Sequence, residues 1–138
     1  MFKKIKKWYY KRKAMKLLKK HNPIIKKILG ISKQNIKIYV SDIQADPMAL
    51  TAIGENEYTI IMYINKIINN KRKLDNVIFC LAHELRHVHQ CVYETDFVPK
   101  KCYYKMTERE YEFSHSEKDA NMFADWYLAH TKSKRFKK

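Results

Sequence analysis

Residues 83–87 read His-Glu-Leu-Arg-His, and they lie within a stretch, 76–92, in which apolar residues recur with the period of an α-helix. Positions i and i+4 of a helix lie about 40° apart around the axis and about 6 Å apart along it. Two imidazoles at these positions can therefore converge on one ion. The spacing predicts a helix that presents His83 and His87 as two ligands of a metal.

The stretch 76–92 has two distinct sides when it is projected at about 100° per residue. The apolar side contains Val77, Ile78, Leu81, Leu85, Val88 and Val92. The polar side contains Asn76, Cys80, His83, Glu84, His87, Gln90 and Cys91. Because both histidines lie off the apolar side and share their sector with Glu84, we expect metal ligands and not core histidines.

A third ligand is predicted in a second helix, over 116–130, which contains Glu117. One side of this helix contains Glu117, Ala120, Asn121, Ala124 and Leu128. Its alanines should allow close approach to the histidine helix. One turn after Glu117, the amide of Asn121 is expected to form a hydrogen bond with the far nitrogen of a ligating histidine, that is, the ring nitrogen that does not bind the metal. Asp119 is a weaker candidate ligand, because it projects about 200° away from Glu117.

These residues suit hydrolysis by metal-activated water. A zinc ion with three protein ligands keeps a fourth position for water and lowers the pKa of that water to about 7. Glu84 would be the general base. The developing oxyanion needs a donor, and the candidates are His115, Tyr111, Tyr103 and Tyr104. The sequence therefore predicts a zinc-dependent peptidase with one Zn²⁺ ion.

The pair HELRHVHQ at 83–90 and EKDANMFADWYL at 117–128 resembles the ImmA/IrrE-type metallopeptidases, in the gluzincin branch of the zincins. The resemblance covers about residues 36–130. It implies zinc held by His83, His87 and Glu117, water polarised by Glu84, and substrate held by an edge strand before the active-site helix. The residues of the implied substrate strand are Tyr58, Thr59, Ile60, Ile61, Met62, Tyr63 and Ile64.

The resemblance also implies a protein substrate, because better-known relatives cleave transcriptional repressors of mobile elements or stress responses. The chain departs from those relatives in its short length and in its strongly basic first 30 residues. The identity of the substrate therefore does not carry over.

The charge is concentrated at the two ends of the chain. Residues 1–40 contain fourteen Lys/Arg and no Asp/Glu, and residues 132–138 contain five more cations. Residues 41–131 contain the other ten cations and all fourteen anions. The basic ends favour contact with nucleic acid, anionic membrane or an acidic protein. The alternatives are a solubilising tail, or a first helix that docks on the domain through its Trp8 stripe.

The expected fold is α+β: a minimal zincin-like domain with N-terminal helices, a small mainly antiparallel sheet, and the two site helices. Its predicted parts are a basic amphipathic segment at 1–30, a metallopeptidase domain at 31–131 and a basic tail at 132–138. Asn22-Pro23 should divide the N-terminal segment into two helices, the second of which stops at Gly30. Strands are predicted over 36–40, 48–53 and 58–64, with a hairpin turn at 54–57 and Asp75 as the N-cap of the histidine helix.

Cysteine usage and hydropathy indicate the compartment. Cys80, Cys91 and Cys102 form no metal-type spacing and no disulfide framework, which favours a reducing cytoplasm. No signal-peptide core or transmembrane segment is expected. A thiolate at Cys102 could occupy the open position of the zinc and silence the enzyme. The competing interpretation is a zinc-stabilised, non-catalytic module that binds nucleic acid or anionic membrane through its basic ends.

Overall fold

The structure, a computed structural model, describes residues 2–69, 72–93 and 115–136. Within these ranges it is an α+β fold with four helices and a three-stranded mixed sheet. The elements in chain order are α1 (Phe2–Leu29), β1 (Ile36–Ser41), β2 (Ala49–Ile53), β3 (Tyr58–Tyr63), α2 (Ile64–Ile68), α3 (Leu74–Tyr93) and α4 (His115–Phe136).

The first helix is a single element, so the predicted break at Asn22-Pro23 is wrong. Its buried residues are Ala14, Leu18, Ile25 and Leu29, which continue as one stripe past Pro23 and belong to the same core as α3. Burial of this stripe outweighs the backbone hydrogen bond that a proline cannot donate. The predicted stop is confirmed: the helix ends before Gly30, which has a φ of 68°.

The sheet has the order β1-β3-β2, in which β1 pairs with β3 in parallel and β2 pairs with β3 antiparallel. The expectation of a mainly antiparallel sheet is therefore wrong for one of the two pairs. The hairpin turn is confirmed, because the Gly54 N–H donates to the Glu57 carbonyl over 2.8 Å. This topology leaves β2 and β1 as the two outer strands of the sheet formed by the described residues.

The central position of β3 corrects the predicted substrate strand. Tyr58–Ile64 was expected to be an edge strand, but both sides of β3 are hydrogen-bonded to neighbours. Ile64 already belongs to α2. The physical reason is apolar content: Ile60 and Met62 are fully buried, and a strand of this kind is most stable at the centre of a sheet. An extended ligand cannot pair with β3 without displacing a strand.

Helix α3 lies in the middle of the fold, where it packs against α1, α4, α2 and the strands β2 and β3. The predicted apolar side is buried, but so is most of the polar side, including His83, Glu84, His87 and Gln90. Asp75 lies in the first turn and not at the N-cap, and its carboxylate accepts from Lys132 Nζ over 2.8 Å. The sheet and α4 therefore enclose the polar side of α3.

Helix α4 continues through Phe136, so the boundary expected at 131 falls inside a helix. Ala120 and Ala124 are fully buried, as expected for residues that let two helices approach closely. Among the residues that the structure describes, none of the helices combines the length and the apolar character that crossing a bilayer requires.

Candidate metal centre

The three predicted ligands lie together between α3 and α4. His83 Nε2 is 3.1 Å from His87 Nε2 and 2.9 Å from Glu117 Oε1, and His87 Nε2 is 3.0 Å from Glu117 Oε2. A tetrahedral zinc ion about 2.0–2.1 Å from each ligand atom requires those atoms to lie about 3.3 Å apart. The three observed distances, two of which end on different carboxylate oxygens of Glu117, are only slightly shorter than this. The three side chains therefore fit a zinc ion with little movement.

The charges at this site favour a bound cation. Burial raises the pKa of Glu117, but hydrogen bonds from His83 and His87 outweigh burial and hold the pKa far below its usual range. Burial lowers the pKa of His87, but the hydrogen bond to Glu117 and the charges of Glu84 and Glu117 raise it overall. Without a metal, the site therefore keeps a proton among these groups, and a divalent ion can take its place.

Gln90 holds the far nitrogen of His87, the role that the sequence assigned to Asn121. His87 Nδ1 donates to Gln90 Oε1 over 2.8 Å, which leaves Nε2, the atom that faces Glu117, as the nitrogen that can bind a metal once its proton is displaced. The Nδ1 atom of His83 is buried without a hydrogen-bond partner. Neither far nitrogen is bonded by Asn121, so the prediction for Asn121 is wrong, although its side chain lines the cleft beside the site.

A network of polar groups fixes the orientation of Gln90. Its Nε2 donates to the Ser116 carbonyl and to Asp119 Oδ2, both over 2.9 Å. Arg86 donates to Asp119 Oδ2 from Nε over 2.6 Å and to Oδ1 from a terminal nitrogen over 3.1 Å. Asp119 is therefore engaged by Arg86 and Gln90 and is not one of the converging ligands. The network joins α3 to α4 directly behind His87.

Glu84 is buried next to the ligands, and its carboxylate is held by the strand β2. The Thr51 hydroxyl donates to Glu84 Oε2 and lies 3.5 Å from the Glu84 carbonyl oxygen. Only 1% of Thr51 and 7% of Glu84 are exposed, so water competes little for this bond. The contact joins residues 33 positions apart in the chain, and the sequence does not predict it.

An open cleft of about 470 Å³ runs between β2 and the two site helices. Its lining from the β2 side consists of Asp46, Pro47, Met48, Ala49, Leu50 and Thr51. Its lining from the helices consists of Lys66, Phe79, Cys80, His83, Glu84, His87, Glu117 and Asn121. A ligand in this cleft would therefore contact the metal ligands, Glu84 and an outer strand at the same time.

Cys80 also lines the cleft, but its chemistry does not suit nucleophilic attack. Burial and then the charge of Glu84 raise the pKa of its thiol to about 12. A thiol in this environment stays protonated at neutral pH, and only the thiolate is a good nucleophile. The reactive groups that the cleft offers are therefore the imidazoles and the two glutamates.

The other predicted site residues lie away from the cleft or outside the described ranges. His115 is exposed at the start of α4, and it is not among the residues that line the cleft. Tyr111, Tyr103, Tyr104 and Cys102 lie outside the described residues. His89 Nδ1 donates to the Leu29 carbonyl over 2.8 Å, and His89 is not in the converging group of His83, His87 and Glu117.

Comparison of the chain with models of protein families, with curated proteins and with solved structures finds no match in any of the three. The geometry of the site is therefore what indicates a function for this chain. Of the residues that sequence reasoning missed, Gln90 was visible as a polar neighbour three positions after His87. Thr51 was not visible, because nothing in its local sequence indicates that its hydroxyl faces Glu84.

Proposed function

We propose that the chain is a zinc-dependent peptidase. The observation that carries the proposal is the convergence of His83, His87 and Glu117, with ligand atoms 2.9–3.1 Å apart, beside the buried carboxylate of Glu84. All four side chains border the open cleft, so a substrate could reach them. A purely structural zinc site is usually closed by a fourth protein ligand and has no need of an adjacent acid.

In this proposal, each residue has a defined task. When bound, zinc would act as a Lewis acid that lowers the pKa of water to about 7. Glu84 accepts a proton from the attacking water and returns it to the leaving amine. The Thr51 hydroxyl holds the Glu84 carboxylate in position. Gln90 keeps the proton of His87 on Nδ1, so that Nε2 remains a ligand.

The substrate in this proposal is an extended segment of a protein, paired with the outer strand β2 and not with β3. Support comes from the position of β2, which forms one wall of the cleft through Ala49, Leu50 and Thr51 and has β3 as its only strand partner among the described residues. An outer strand can hold a peptide by backbone hydrogen bonds. Better-known ImmA/IrrE-type peptidases cleave transcriptional repressors, although the identity of their substrates does not carry over to this chain, and the reducing cytoplasm is inferred from its cysteine usage.

The first experiment measures metal content and hydrolysis on the same preparation. The purified full chain should contain about one zinc per molecule and should cleave members of a quenched-fluorescence peptide library. Glu84→Gln should keep the metal and lose turnover. Asp125→Asn, on an exposed position of α4, is a suitable control and should change neither quantity.

Two outcomes would end the proposal. The first is a protein that binds no divalent ion at all. The second is a Glu84→Gln variant that cleaves peptides at the native rate, because the general base would then lie elsewhere. Stoichiometric zinc with no hydrolysis of any peptide would favour the alternative, a zinc-stabilised module without catalytic activity.

A further inference from the structure

The outward side of α1 is strongly basic. Six exposed cations, here called the cationic face, are Arg12, Lys13, Lys16, Lys19, Lys20 and Lys27. At about 100° per residue, they fall within a sector about 120° wide that lies directly opposite the buried stripe of the helix. With a rise of about 1.5 Å per residue, the face is about 22 Å long. Because α1 is anchored by its buried stripe, the face is fixed on the surface of the domain.

This face has no internal counter-charge. Residues 1–40 contain no Asp or Glu, and no ion pair joins the cationic face to a carboxylate among the residues that the structure describes. The nearest such pair is formed by Lys11, off the face, whose Nζ is 2.7 Å from Asp42 Oδ2. A row of uncompensated cations at this density attracts a polyanion.

The chemistry of the helix favours nucleic acid over a membrane. A helix that binds a bilayer surface inserts an apolar face, but the apolar stripe of α1 is already buried in the core. The large apolar side chains that are exposed on α1 do not lie together: Trp8 and Met15 lie on one border of the cationic face, Ile24 and Ile28 lie on the other, and Tyr9 lies within the face. The exposed side of α1 therefore offers cations between two separate apolar borders and no continuous apolar face for a bilayer.

We propose that the cationic face of α1 binds the phosphate backbone of duplex DNA without sequence preference. B-form DNA carries about one negative charge per 1.7 Å of axis, so a face about 22 Å long meets the phosphates of about six base pairs. The major groove of B-form DNA is about 12 Å wide and accepts a helix, whereas that of A-form RNA is too narrow. Lysine is suited to phosphate contacts and lacks the bidentate geometry that reads bases.

The test is fluorescence anisotropy of the full chain with a labelled duplex of about 24 base pairs, over a series of KCl concentrations. If about five phosphates are neutralised, log K should fall with log[KCl] with a slope of about −4 to −5. Scrambling the base sequence should leave the affinity unchanged. The double variant Lys16→Gln/Lys20→Gln should weaken binding more than tenfold at about 50 mM KCl and should reduce the slope by about 2.

The matched control is Lys33→Gln/Lys37→Gln, which removes the same net charge from exposed positions away from the face. It should leave the affinity within about twofold of the native value, since only the weak surface pair of Lys37 with Glu57 is lost. Circular dichroism of both variants checks that the fold is unchanged. These substitutions do not touch the metal centre, so the result is independent of peptidase activity.

Several results would overturn the proposal. One is the absence of duplex binding at about 50 mM KCl, and another is an equal loss of affinity in the two double variants, which would indicate net charge alone. Tighter binding to an A-form RNA duplex of the same sequence would also contradict it. The last is a protein that does not bind DNA but binds vesicles with about 30% phosphatidylglycerol, and that loses vesicle binding in the Lys16→Gln/Lys20→Gln variant.

Discussion

His87 Nδ1 donates a hydrogen bond to Gln90 Oε1 over 2.8 Å, and this bond fixes which nitrogen of the imidazole faces Glu117. Gln90→Leu should therefore weaken zinc binding about 10- to 100-fold, the usual effect of losing such a partner. Competition with a fluorescent zinc chelator measures the affinity. Gln44→Leu, at an exposed position, is the control. A folded Gln90→Leu variant with native affinity for zinc would show that the bond to Gln90 does not orient His87 for metal binding.

The hydroxyl of Thr51 holds the carboxylate of Glu84, so its removal should slow catalysis if Glu84 is the general base. Thr51→Val keeps the shape of the side chain and should lower kcat about tenfold or more, with little change in KM or zinc content. Thr51→Ser keeps a hydroxyl and should restore most of the rate. If the valine variant turns over as fast as the serine variant, the hydroxyl has no part in the reaction.

Stabilisation by zinc should increase with pH. Burial lowers the pKa of His87, but the bond to Glu117 and the nearby carboxylates raise it above 6.5. The protonated ring stabilises the metal-free fold at low pH, and this contribution is lost as pH rises through the raised pKa. Zinc needs the neutral ring, so its binding strengthens over the same range. The zinc-dependent rise in Tm should therefore be larger at about pH 8 than at about pH 6.

The control for this pH dependence is His130→Ala, which alters an exposed histidine on α4 and should leave the difference intact. His87→Ala should remove it. An equal rise in Tm at both pH values in the native protein would mean that no proton is displaced when zinc binds.

The close approach of α3 and α4 depends on small side chains. Ala124 is fully buried, and Ala124→Leu should force the two helices apart at a cost of about 1–3 kcal/mol in the free energy of unfolding. Ala129→Leu makes the same change at an exposed position of the same helix and should cost less than about 0.5 kcal/mol. Urea denaturation compares the two. Equal stability in the two variants would show that the interface between α3 and α4 accommodates a larger side chain at position 124.

The sequence predicts well those features that local signals encode. The i, i+4 spacing of His83 and His87 determines that both imidazoles leave one side of a helix, and the alanines of α4 indicate close packing. Gly30 ends α1 and the turn at 54–57 forms the hairpin, because both positions have strong conformational preferences. The convergence of Glu117 on the two histidines is anticipated from the ligand number that zinc requires.

Features that depend on tertiary packing were not predictable. Pro23 is a strong helix breaker locally, yet burial on both sides of it maintains α1. The order of the strands depends on which strand is most favourably buried, and this placed β3 at the centre and made β2 the wall of the cleft. Thr51, the hydrogen-bond partner of Glu84, could be recognised only from the position of β2 in the fold.

The C-terminal end of α1 is hydrogen-bonded to α3, the helix that carries His83 and His87. His89 bonds the Leu29 carbonyl, and the Tyr93 hydroxyl donates to the Gly30 carbonyl over 2.5 Å. Removing residues 1–30 would leave these two donors without acceptors and would uncover the apolar side of α3. A piece of this chain that folds should therefore include residues 1–30, and a shortened variant cannot separate the loss of polyanion binding from the loss of the fold around the candidate metal centre.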